Sequence, residues 1–202
     1  MEAKKYFDRR KDERNLLQEM SKKGYSIATY FDKEFENLTP NPSQNFGYFT
    51  ADTDPLTVEQ GRTYLPPASR VACDFLQKHG DEQGFFLMVE GAQIDWGGHA
   101  NNTQYIINEM IDFDRAIGAV LDFAKADGNT LVIVTADHET GGFAINPGSS
   151  RDSIIGAFTS DYHTAALIPV FAYYSGAERF SGIYENTAIY QKMRQAFGFE
   201  HK

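Results

Sequence analysis

Two short, unbroken apolar runs, each ending in acids and imidazoles, constrain this chain more than any other feature. Gly84–Val89 reads Gly-Phe-Phe-Leu-Met-Val and is followed by Glu90, Asp95 and His99. Thr130–Thr135 reads Thr-Leu-Val-Ile-Val-Thr and is followed by Asp137 and His138. A continuous apolar run, without the alternation of a half-exposed strand, suits a strand covered on both faces. Helical patterns separate such runs. Pro66–His79 sets Val71, Phe75 and Leu76 on one face, with Gly80 beyond its end. Thr103–Lys125 carries Ile106, Ile107, Met110, Phe113, Ile117, Val120 and Leu121 as an apolar stripe. A third strand is expected at Ile168–Tyr173 and a closing helix at Thr187–Phe197. Upstream, Asp8–Lys23 reads as a charged helix stopped by Gly24. Tyr25–Tyr30 and Asn45–Thr50 read as strands around a Pro/Asn/Ser-rich loop, Leu38–Asn45. Strands alternating with helices predict an α/β fold, a mostly parallel sheet flanked by helices on both faces, in a single domain over residues 1–202.

Composition narrows the partners. A chain of 202 residues with 42% hydrophobic and 23% charged residues has enough apolar material for a buried core and is not a disordered polymer. Lys plus Arg number 19 against 28 Asp plus Glu, and the net charge of −9 argues against nucleic acid or an anionic membrane as partner. No apolar run approaches the ~20 residues that span a bilayer. Cys73 is the only cysteine, which excludes a disulfide scaffold. Met1–Tyr6 has basic residues but no apolar segment behind them and does not read as a secretory signal. That fits a cytosolic protein or a chain whose natural beginning lies upstream.

In open α/β sheets the carboxyl ends of the strands line the ligand crevice, so both runs deliver their acids and histidines to one edge. Carboxylates beside buried apolar sequence need a compensating cation. Neither strand end supplies a Lys or Arg nearby, and a metal ion meets the need. Imidazole with carboxylate suits Zn²⁺, whereas oxygen-only sets suit Mg²⁺ or Ca²⁺. Asp95 and His99 are four apart, so a helical turn or a tight turn at Gly97-Gly98 would bring them together. Asp137 and His138 are adjacent and would diverge on a straight strand, so they need a bend, which Gly141-Gly142 makes plausible, or different neighbours. His163 precedes the third strand. His79 and His201 have no such company and read as solvated histidines.

Together these residues resemble a known family. Phe86-Leu-Met-Val-Glu-Gly-Ala-Gln-Ile-Asp-Trp-Gly-Gly-His99 is similar to the metal-binding signature of alkaline phosphatases. Thr135-Ala-Asp-His-Glu-Thr-Gly-Gly142 resembles their second metal motif. His163-Thr, Ile168-Pro-Val-Phe-Ala172 and Gly182-Ile-Tyr-Glu-Asn-Thr187 resemble the third, and Arg9–Tyr25 resembles the segment upstream. The resemblance implies Asp95, His99 and His163 as ligands of one Zn²⁺, Asp137 and His138 as ligands of a second, and Glu90 as a ligand of Mg²⁺. It also implies hydrolysis of phosphate monoesters through a serine nucleophile, a periplasmic or secreted location, and a possible homodimer. Two departures stand out. Trp96 occupies a position where some relatives have Lys or His, and reads equally as a rim aromatic or a substrate contact. The family's serine nucleophile, bridging Asp and phosphate-clamping Arg have no counterpart; the only Asp-Ser pair, Asp152-Ser153, falls between the second and third motifs, as a loop or helix cap. The chain is therefore expected to correspond to the carboxy-terminal half of such an enzyme, with little serine-dependent turnover. Two other readings stay open: a metal-binding piece that needs a separate amino-terminal chain, and another esterase of the superfamily, such as a phosphodiesterase, sulfatase or phosphomutase.

Overall fold

The computed structural model describes residues 11–30, 35, 38–80 and 84–199. Met1–Tyr6, the start of the first expected helix, the beginning of the Arg9–Tyr25 resemblance and His201 lie outside the described residues. Contacts divide the chain into two units, Met1–Glu90 with Ile111–Ala119, and Gly91–Met110 with Val120–Lys202.

In the first unit, α1 (Leu16–Lys22) begins where the Asn15 side chain accepts a hydrogen bond from the Gln18 N–H at 3.0 Å, and it buries Leu17. The strands β1 (Ser26–Thr29) and β2 (Phe46–Phe49) pair in parallel, with Ser26 opposite Phe46. Next, α2 (Leu65–Gly80) opens with Pro66 and Pro67, where the missing N–H groups cost nothing. Its buried positions are Ser69 and Cys73, while Val71, Phe75 and Leu76 are only partly covered. His79 is exposed, as expected, yet its ring is engaged. Its ring stacks on Phe75 at 5.3 Å, and its Nδ1 lies 2.6 Å from the Pro42 carbonyl, tying the Pro-rich loop to the helix end.

The second unit starts with α3 (Gln93–His99). The 25-residue α4 (Thr103–Asp127), whose middle, Ile111–Ala119, belongs to the first unit, is capped by Asn102 and closed by Gly128 at φ 75°. The most buried side of α4 is rotated from the expected stripe. Ile106, Glu109, Asp112, Ala116, Phe123 and Ala124 are buried, whereas Met110 and Ile111 are exposed. The reason is polar. Asp112 accepts from the Arg62 guanidinium at 3.0 Å with both side chains almost fully covered, so an ion pair brings under cover a position that the apolar stripe leaves out.

Six short strands follow the helix: β3 (Val132–Val134), β4 (Glu139–Thr140), β5 (Ala144–Ile145), β6 (Gly156–Ala157), β7 (His163–Thr164) and β8 (Phe171–Tyr173). They pair β3 with β8, β4 with β7 and β5 with β6, all antiparallel. A 3₁₀ turn, Ala177–Phe180, leads towards α5 (Ala188–Ala196). The mostly parallel sheet is therefore corrected. Among the described residues the sheets are two-stranded, and only β1–β2 is parallel. The run Gly84–Val89 joins no sheet there and is not covered on both faces. Exposure alternates along it, with Phe86 at 60% and Met88 at 75%. Within the described residues nothing pairs with this run as a strand.

Candidate metal centre

The chemistry collects where α3 meets β4 and β7. Asp95 and His99 stand one turn apart on α3, so both side chains leave the same face. Glycines allow the close approach that brings this face to β4. A Cβ on Gly98 would lie 2.7 Å from the Thr140 carbonyl oxygen, and one on Gly141 would lie 2.9 Å from that of Gly98. One glycine of each Gly-Gly pair, Gly98 and Gly141, thus meets the other, while Gly97 faces Ile106 and Gly142 faces Thr159. Beyond them, Gly141 exchanges backbone hydrogen bonds with the 159–162 loop, accepting from Thr159 and Ser160 and donating to the Tyr162 carbonyl. This loop delivers His163.

The result is a group of three donors, Asp95, His99 and His163, whose ligand atoms lie within 4.8 Å of one another. Asp95 Oδ1 is 3.5 Å from His99 Nε2 and 3.7 Å from His163 Nε2. Two ligands about 2.0–2.1 Å from a tetrahedral ion sit about 3.4 Å apart, so these spacings suit a Zn²⁺-sized cation. Hydrogen bonding prepares the donors. His99 Nδ1 lies 2.7 Å from the Asp161 carbonyl, which can only accept, so Nδ1 carries a proton and Nε2 is the ring atom turned to Asp95. The Thr140 hydroxyl donates its one proton to Asp95 Oδ1 at 2.5 Å and therefore accepts from His138 Nδ1 at 3.2 Å.

Asp137 and His138 join the same cluster without belonging to the three-donor group. The backbone bends at Asp137, ahead of the Gly141-Gly142 turn that was expected to supply the bend. Adjacent side chains consequently converge, with Asp137 Oδ2 3.3 Å from His138 Nε2. His138 also stacks on His163, ring centroids 3.5 Å apart. Glu90 is different: it lies exposed at the end of the extended run and outside this group. Trp96 is half-buried on α3. Ser153 sits in a tight turn bridged to Ser150, which bears out its loop reading.

Sequence reasoning passed over two residues of this region. Thr140 links Asp95 to His138, and it stands inside the second quoted motif, where its neighbours could have drawn attention to it. Glu139 accepts from the Gly142 and Phe143 N–H groups at 3.0 Å each and from the Thr164 hydroxyl, fastening β4, the following turn and β7. Burial pushes its carboxyl pKa up. The hydrogen bonds from Thr164, Phe143 and Gly142, with the neighbouring His138, outweigh that and hold it below the usual range.

Residues 2–158 match the family model described as alkaline phosphatase. The chain belongs to the alkaline phosphatase family. It is 40% identical over 171 residues to alkaline phosphatase 3 of Bacillus subtilis, an alignment covering 84% of this chain and 35% of that one. With alkaline phosphatase of Escherichia coli it shares 33% identity over 193 residues, 86% of this chain and 38% of the relative. The solved alkaline phosphatase from the Antarctic bacterium TAB5 superposes with a TM-score of 0.83 at 44% identity, covering 96% of this chain and 58% of that one. A mutant of that enzyme has been solved with Mg bound in its M3 site. Alkaline phosphatases are phosphoric monoester hydrolases with an α/β fold, and this chain spans little more than a third of the length of these two curated relatives. His163 lies beyond the segment matched by the family model and within a chain that superposes almost throughout.

Proposed function

We propose that this chain carries the metal-holding part of a phosphate monoester hydrolase site, with Asp95, His99 and His163 holding one Zn²⁺, Asp137 and His138 a second, and Glu90 an Mg²⁺. The observation that carries the reading is the convergence of Asp95 Oδ1 with the Nε2 atoms of His99 and His163 in a family member. When bound, such cations supply Lewis-acid stabilisation to phosphoryl and leaving-group oxygens. The protein's own part is orientation. Thr140 fixes the Asp95 carboxylate and the His138 ring, and Asp161 fixes the tautomer of His99. Asp137, with its side chain 85% exposed, keeps one side of the cluster open to a solvent-borne phosphomonoester.

Among the described residues, neither Cys73 nor Ser153 reads as an activated nucleophile. Cys73 is buried, and burial pushes its thiol pKa up, the opposite of an activated thiolate. Ser153 is held in its turn, away from any histidine pairing that the described hydrogen bonds contain. We therefore read the chain alone as inactive or nearly so, its site completed by residues from outside it. This includes the reading of a metal-binding piece that works with a separate amino-terminal polypeptide. Phe86 and Met88, two places apart on the Gly84–Val89 run and both exposed, fit that reading as apolar surface available to a partner. A homodimer and a periplasmic or secreted setting belong to the same proposal. Among the described residues, no helix is long and apolar enough to cross a membrane. Turnover of p-nitrophenyl phosphate with added Zn²⁺ and Mg²⁺ tests the reading. The expected rate is close to background, and rates like those of a full-length relative would overturn it.

A further inference from the structure

An aromatic ring that is not among the three donors also packs against the cluster. Tyr162 precedes His163 and stacks on its imidazole, ring centroids 4.5 Å apart at 23°. It also meets the His99 ring edge-on at 5.7 Å. His163 in turn stacks on His138, so three rings lie in one pile, Tyr162, His163, His138, with His99 against its side. Yet Tyr162 is 63% exposed. A ring so accessible contributes little to the core and would ordinarily sample several rotamers. Here its backbone is held on both sides. Its carbonyl accepts from the Gly141 N–H at 2.9 Å and its N–H donates to Ser160 Oγ at 2.9 Å. The preceding carbonyl, of Asp161, takes the Nδ1 proton of His99.

From these contacts we propose that Tyr162 is a positioning residue for the metal centre: its ring fixes the imidazole planes of His163 and His99 so that both Nε2 atoms meet Asp95 Oδ1 before an ion arrives. The proposal rests on the zinc reading above and extends it to a residue that touches no ion. Asp161 and Tyr162 then act as one clamp. The carbonyl sets the His99 tautomer and the aromatic face sets the His163 rotamer. Ordering donors in advance removes the entropic cost of freezing them on binding, and the loss of such a support typically weakens metal affinity about tenfold or more.

Zn²⁺ affinity of the full chain, measured by competition with a chromophoric chelator, tests this in wild type, Tyr162→Ala and Tyr162→Phe, together with the melting midpoint of each metal-free protein. Expected are an affinity about tenfold weaker in Tyr162→Ala, wild-type affinity in Tyr162→Phe, and equal metal-free midpoints. Wild-type affinity in Tyr162→Ala overturns the proposal. So does equal loss in both variants, which would assign the effect to the hydroxyl, or a lowered metal-free midpoint in Tyr162→Ala, which would make the role structural. Absence of zinc binding by the wild type overturns the underlying metal reading, and the positioning role with it.

Discussion

Thr140 has a single hydroxyl proton and two neighbours that need it oriented. It donates to Asp95 and accepts from His138, so one side chain sets the carboxylate and one imidazole. Thr140→Val keeps the shape and removes both bonds. Zn²⁺ affinity, followed by isothermal titration calorimetry, is expected to fall about tenfold or more, while Thr140→Ser stays near wild type. Gly98 makes a steric case beside this electrostatic one. A methyl there would meet the Thr140 carbonyl at 2.7 Å and the Thr140 side chain at 2.9 Å. Gly98→Ala should cost about 1–3 kcal/mol in urea unfolding and weaken zinc binding as α3 is pushed from β4. Gly118, inside α4 with no atom within 4 Å of a built Cβ, provides the opposite case. Gly118→Ala should stabilise by about 1 kcal/mol and leave metal affinity unchanged.

At the level of elements, the β4–β7 pair is fastened beyond its two-residue ladder by Glu139, which gathers two backbone N–H groups and the Thr164 hydroxyl. Glu139→Ala leaves those donors without their acceptor and should destabilise by about 1–3 kcal/mol in chemical denaturation. The ion pair of Arg62 with Asp112 is buried more deeply, and Asp112→Ala should cost about 3–5 kcal/mol by the same measurement. Elements whose ends are marked locally were legible in the sequence. Gly24 after α1, Pro66 at the start of α2 and the start of α4 at Thr103 were read there, whereas the Asn15 cap was not, and the helix expected from Asp8 begins only at Leu16. The strand pairs β4–β7 and β5–β6 were not legible. Each is two residues long, and its pairing depends on loops that meet only after folding. The rotated face of α4 was hidden for a related reason, since its buried acid acquires meaning only with Arg62, fifty residues away in sequence.

For the molecule as a whole, the candidate centre was more legible than the sheet around it. Acids and histidines announce themselves by type, and five of the six named residues, Asp95, His99, Asp137, His138 and His163, fall into one connected cluster. Strand pairing has no such label: Gly84–Val89 reads as buried and lies half exposed. Apolar surface of this kind should make the purified chain self-associate, with light scattering rising with concentration. A monodisperse monomer would count against a site completed from outside. The most direct test of the central claim is a Zn²⁺ titration of the purified chain, read by calorimetry and by the fluorescence of Trp96, its only tryptophan and next to Asp95. Saturable binding of at least one ion per chain, abolished by combining Asp95→Ala with His163→Ala, is the result predicted here. An absence of saturable binding, or equal binding by the double variant, would contradict the account.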